Sequence, residues 1–278
     1  MNTQNEASLS KPDTAESHFS SFAEPLVEEA ISHAAALNAD PDAEVLHKLR
    51  VALRRMRSLL WAYQPLLDSS FDDKHRDVFK QFGGAAGETR DWDILIKLLD
   101  QALGAAQTST ASLINARAAA LKTSRETLTN ANMRSALQEA IANVNEALCA
   151  THNDTSLKKF ARRRLNSAAR SLHKRMRQAS RSRRSDYEAF HEVRKAGKKV
   201  RYLLDFFEPF LTRKQLKSAK ELKKIQKRFG ALNDVVASEA LLNANRNLFR
   251  TRADVNIALN ALEVKRKSRA RAAARLLR

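Results

Sequence analysis

The chain has 278 residues and a formal net charge of +19, with 50 Lys and Arg against 31 Asp and Glu, and with few Gly, Pro and β-branched runs. That length can bury a sizeable core, and the Ala- and Leu-rich composition points to an all-α protein. A single cysteine, Cys149, excludes an intrachain disulfide, and the lack of any apolar run near 18 residues or of a basic-then-apolar leader argues against a membrane span or secretion. A soluble cytoplasmic protein is the resulting expectation.

Met1 to about Ser21 is polar and aperiodic, and reads as a disordered tail. Apolar periodicity then predicts helices at about 22–38, 42–64, 70–86, 91–104, 109–130, 133–150, 156–182, 186–207, 212–229, 233–249 and 252–277. Asp40-Pro41-Asp42, Pro65, Gly83-Gly84, Gly104, Asn153-Asp154-Thr155, Pro209 and Gly230 supply the stops and caps between them.

The charge is unevenly placed. From Lys158 to Arg228 there are about 25 Lys and Arg against about six acids, while the first 46 residues are acidic. Within this pattern one stencil occurs twice. His47-Lys-Leu-Arg50-Val-Ala-Leu-Arg54-Arg55-Met-Arg57 is matched by His191-Glu-Val-Arg194-Lys195-Ala-Gly-Lys198-Lys199-Val-Arg201, with cations at the same offsets from a leading histidine. Each copy runs into an aromatic and aliphatic stretch closed by Pro65 or Pro209. Further along, Gly87 and Asp91 recur as Gly230 and Asp234. Two related halves follow, about 22–150 and 155–278, within one domain of about 22–278. The Gly-x-x-(Arg/Asn)-Asp element is expected to be a helix C-cap followed by the N-cap of the next helix.

At about 100° per residue, His47, Arg50, Arg54 and Arg57 share one helix sector beside the apolar face, and His191, Arg194, Lys198 and Arg201 do the same. Asp205 lies where it could pair with Arg201. Two further rows align, one containing Arg170, Lys174 and Arg177, the other containing Lys220 and Lys224. Like charges one turn apart repel by a few tenths of a kcal/mol per pair, so four such rows call for a polyanionic partner. Each leading histidine could be a phosphate contact, a packed structural residue, a phosphoryl acceptor or a metal ligand. The cationic neighbours and the lack of His, Cys or carboxylate at i+3 or i+4 speak against metal, and the pattern favours a hydrogen bond to phosphate.

These stencils, with Arg90-Asp91 and Asn233-Asp234, resemble the CHAD family, the histidine-led α-helical domain, over about 24–278. The resemblance implies two pseudo-symmetric antiparallel helical bundles packed around a central basic pore or groove. It also implies binding of inorganic polyphosphate, and association with polyphosphate granules in bacterial members. His47, Arg50, Arg54, Arg57, His191, Arg194, Lys198 and Arg201 match the family pattern; Arg170, Lys174, Arg177, Lys220 and Lys224 rest on stripe geometry with looser family support. Asp72, Asp73 and Asp77 precede Lys80, the counterpart of Lys224, so the channel is expected to be more basic on the second-half side.

A non-enzymatic polyphosphate-binding module with no cofactor is therefore the leading expectation. RNA or DNA binding is the second class, disfavoured because few aromatics interleave with the cationic rows. An enzyme acting on phosphate anhydrides is the third; Asp91 and Asp93 are close in sequence, but a single such pair near a helix start reads more readily as a cap than as a Mg²⁺ holder. A membrane-surface role is disfavoured because the apolar helix faces are needed for the core.

Overall fold

The computed structural model describes residues 13–39, 43–104, 111–130, 132–151, 154–183 and 185–277. Among them the chain forms ten α-helices: α1 (Ala15–Ala39), α2 (Ala43–Tyr63), α3 (Ser69–Leu103), α4 (Ala111–Asn130), α5 (Met133–Ala150), α6 (Leu157–Arg181), α7 (Tyr187–Phe207), α8 (Arg213–Lys217), α9 (Ala219–Ala244) and α10 (Arg252–Ala274). No strand occurs among the described residues; one isolated bridge joins Thr14 to Ser156.

Helix α1 starts before the position expected from the sequence. The Thr14 hydroxyl accepts from the Ser17 amide at 3.2 Å, a side-chain cap that satisfies one of the first-turn donors. Residues 15–21, expected in the tail, are therefore helical, whereas 1–12 lie outside the described residues. The same spot ties the two halves together: Ala15 N donates to Thr155 O at 2.7 Å, Leu157 N to Asp13 O at 3.2 Å, and Thr155 N to Glu16 Oε2 at 3.1 Å. Helices α1 and α6 thus begin side by side.

The expected breaks at Gly83-Gly84 and around Gly230 are absent. Helix α3 runs unbroken through Gly83, Gly84, Gly87 and Asp91, and α9 runs through Gly230 and Asp234. Glycine in a helix interior costs only about 1 kcal/mol relative to Ala, and tertiary packing of long amphipathic helices outweighs that. The caps read at Asp91 and Asp234 are accordingly wrong, since both residues sit in mid-helix. The break in the second half falls instead at Ser218, between α8 and α9. Gly104, at φ +83°, ends α3 as expected, its amide donating to Asp100 O at 2.9 Å.

In the first half α1 packs on α2, α2 on α3 and α3 on α4; in the second α6 packs on α7, α7 on α9 and α9 on α10. The halves meet where α2 packs on α7, α3 on α9 and α10, and α1 on α6. A chain of aromatic rings from α1, α2, α6 and α7 crosses between the halves. Tyr63 lies 5.0 Å from both Phe19 and Phe160, centroid to centroid, and Phe160 lies 5.9 Å from Phe207. Burying each such ring stabilises the fold by roughly 1.5–3 kcal/mol. One core cluster therefore spans both halves, and a smaller one joins α3, α4, α9 and α10 through Trp92, Leu95, Leu113, Val235 and Leu262.

Candidate functional site

Helices α2, α3, α7 and α9 enclose a cavity of about 230 Å³. Its lining includes His47, Arg50 and Arg54 from α2, Arg90 and Asp91 from α3, Arg194 and Lys198 from α7, and Gln226, Asn233, Asp234 and Ser238 from α9. Both stencils deliver side chains there because each cationic row borders the apolar face of its helix. Leu53, Leu60 and Val200 are buried in the shared core, and where α2 packs on α7 the adjoining rows turn toward one space.

The cations are held apart by a sparse polar frame. Arg50 Nη1 donates to Asp91 Oδ1 at 3.1 Å and to Gly87 O at 3.4 Å. Arg50 rests against Gly87, where an added Cβ would lie 3.5 Å from Cζ, in ordinary contact. Arg54 Nε donates to the Tyr202 hydroxyl at 2.9 Å. Arg194 Nε and Ser238 Oγ are buried with no hydrogen-bond partner in the protein; a buried polar group left so costs about 1–3 kcal/mol, a penalty that a bound oxyanion would remove.

Burial and like charge act together on the titratable groups. Lys198 is pushed down to about 6, first by burial and then by Arg54, Arg194 and Arg50, with Asp234 opposing. Burial and the neighbouring Arg90 lower His47, against the pull of Glu44. Burial raises Asp234, although Arg194 and Lys198 draw it the other way. A net-positive, poorly solvated cluster of this kind is a host for anions.

The family model of the CHAD domain matches residues 22–243. The chain belongs to the CHAD domain family. Among solved structures it is similar to the CHAD domain from the plant Ricinus communis, with a TM-score of 0.82 at 24% identity, over 96% of this chain and 92% of that one; at this identity the likeness is one of fold. PptA from Streptomyces chartreusis aligns at 16% identity with a TM-score of 0.49, over 95% and 97% of the two chains, and supports no argument. No curated protein matches the chain.

In this CHAD domain, five of the residues expected at the site line the cavity: His47, Arg50, Arg54, Arg194 and Lys198. The others lie elsewhere. His191 lines a neighbouring, mainly apolar recess beside Phe190 and Phe229 that meets the cavity at Asn233, whose Oδ1 pairs with His191 Nδ1 at 2.8 Å. Arg201 is exposed, held by Asp205 at 3.5 Å, as the sequence suggested, and by Gln226 at 2.9 Å. Arg57, Lys220 and Lys224 are exposed and do not line the cavity. Arg170, Lys174 and Arg177 are exposed on α6, which contributes no lining residue.

The expected bias toward the second half is not found in the lining. His47 and three arginines come from the first half, against Arg194 and Lys198 from the second, while Lys80 sits outside, 3.9 Å from Asp77. Arg90, Asp91, Asn233 and Asp234 belong to the site although the sequence reading assigned them to caps. Their recurrence at one spacing was the available signal. Among the described residues no three His, Cys, Asp or Glu side chains cluster as a metal site. Asp93 is turned away from the cavity, 3.0 Å from Arg117 Nε on α4.

Proposed function

We propose that this CHAD domain binds inorganic polyphosphate in the cavity between α2, α3, α7 and α9, without cleaving it. The observation that carries the reading is the convergence of Arg50, Arg54, Arg90, Arg194 and Lys198 on one space in which Arg194 and Ser238 have unpaired buried polar atoms. Arginine forks and a lysine point charge match phosphoryl oxygens, and a phosphate chain needs nothing more for recognition. Binding in the cytoplasm, at polyphosphate granules, belongs to the same proposal.

Nucleic acid fits less well. The lining has no Phe, Tyr or Trp on which a base could stack. For hydrolysis, the two lining carboxylates, Asp91 and Asp234, lie among guanidinium and ammonium groups that disfavour a bound Mg²⁺.

The test is displacement. A labelled oligonucleotide bound to the protein is challenged with long-chain polyphosphate at equal phosphate concentration. Release of the oligonucleotide supports the proposal; retention refutes it. Phosphate release on adding Mg²⁺ would refute the non-enzymatic part.

A further inference from the structure

Helix α6 is the most one-sided element of the molecule. Its sequence, LKKFARRRLNSAARSLHKRMRQASR, contains no carboxylate. Ala161, Leu165, Ala168 and Leu172 are buried on one side, and Arg163, Arg170, Lys174 and Arg177 are exposed on the other. The fold uses some of its cations: Arg164 Nη2 donates to Trp61 O at 2.7 Å, and Arg175 Nε to Glu192 at 3.0 Å. Among the described residues, none of the four exposed ones lies within 4.0 Å of a carboxylate. Arg170, Lys174 and Arg177 follow one another at about one turn, with Arg163 two turns before them, and such repulsion is a cost that packing does not require.

Helix α6 is tied by a side-chain bond to α8, which precedes the cavity-lining helix α9. Gln215 Nε2 of α8 donates to Asn166 Oδ1 of α6 at 3.4 Å. Helix α8 leads at Ser218 into α9, whose exposed Lys220, Lys223, Lys224 and Lys227 flank Gln226 at the cavity. The cavity is also short. At about 230 Å³ it cannot hold the whole of a long phosphate chain.

Resting on the polyphosphate reading of the cavity, we infer that a long polyphosphate chain leaves the cavity along α9 and α8 and continues over the outer face of α6, so that affinity rises with chain length beyond the units the cavity holds. The chemistry of the track selects this occupant. The large hydrophobics exposed among the described residues, Ile114, Ile257 and Val264, all lie outside α6, so its outer face offers neither a stacking platform for bases nor an apolar wedge for lipid. Its cations, with the small polar residues Asn166 and Ser167 and with His173 and Gln178 between them, suit a flexible chain of phosphates.

The test compares the wild-type protein with the variant Arg163→Gln, Arg170→Gln, Lys174→Gln, Arg177→Gln, titrated calorimetrically with tripolyphosphate and with long-chain polyphosphate. Tripolyphosphate should bind both proteins equally. Long-chain affinity should fall by about tenfold or more in the variant, and its salt dependence should lose about three to four units of log–log slope, one per phosphate contact. A companion variant with Lys at the three arginine positions keeps the charge and should retain most of the affinity, with helix content by circular dichroism checking the fold of both. Equal long-chain affinity in wild type and the Gln variant overturns the inference. Failure of the wild type to bind either phosphate would instead refute the function proposed for the cavity.

Discussion

Arg50 of α2 and Asp91 of α3 form an ion pair at the cavity wall, Nη1 to Oδ1 at 3.1 Å, with both side chains about one third exposed. Asp91 is thus an internal counter-ion for a cation that a phosphate chain would otherwise claim. Asp91→Asn should raise polyphosphate affinity about three- to tenfold, since it removes one repulsive charge and frees the guanidinium. Its cost in stability should stay below about 1 kcal/mol, the range of partly exposed pairs. Calorimetric titration and a urea melt measure the two effects.

Lys198 gives the binding a pH dependence. Its ordinary value of 10.5 falls to about 6 in the folded protein, so between these limits the unfolded chain holds a proton that the folded chain lacks. Stability without ligand should therefore rise with pH through that window. A polyanion beside Lys198 favours the charged form, so binding takes up a proton and affinity falls as pH climbs above about 6, by at most about tenfold per unit for one proton. Of the groups facing it, Arg54, Arg194 and Arg50 disfavour its charge and Asp234 favours it. Between pH 7 and 9 His47, lowered below 6.5, is already neutral. Titrations over that interval in buffers of different ionisation enthalpy should show proton uptake in the wild type and none in Lys198→Arg.

The glycines of α3 separate packing from propensity. Gly84 has open space where a Cβ would sit, so Gly84→Ala should stabilise the protein by about 1 kcal/mol, about 2–4 °C in Tm, and leave binding unchanged. Gly87→Val should instead press on the Arg50 guanidinium, loosen its bond to Asp91 and weaken binding. Thermal melts and phosphate titrations distinguish the two.

Phe160, 4% exposed between Tyr63 and Phe207, joins the halves. Phe160→Ala should cost about 3–5 kcal/mol. Because one core cluster spans both halves, urea unfolding should remain a single transition with a lower midpoint.

Much of this architecture was legible in the residues. The helical class, the doubled histidine stencil and the Arg201–Asp205 pairing follow from composition and spacing, since periodicity states which side chains share a helix face. It does not state which neighbour that face meets. Hence Arg170, Lys174 and Arg177 share a row as expected but point away from the cavity, and His191 turns to an apolar recess while His47 lines the site. The glycine and aspartate elements were misread for another reason. Local rules read Gly83-Gly84 and Asp91 as a stop and a start, whereas α3 tolerates the glycines, the Gly87 carbonyl accepts from Arg50, and Asp91 supplies its counter-charge. Those roles exist only once α2 lies against α3.

The most direct test replaces Arg50, Arg54, Arg194 and Lys198 together by Ala and titrates wild type and variant calorimetrically with tripolyphosphate. The account predicts saturable binding by the wild type and none by the variant, with helix content unchanged by circular dichroism. Undiminished binding by a folded variant would contradict it.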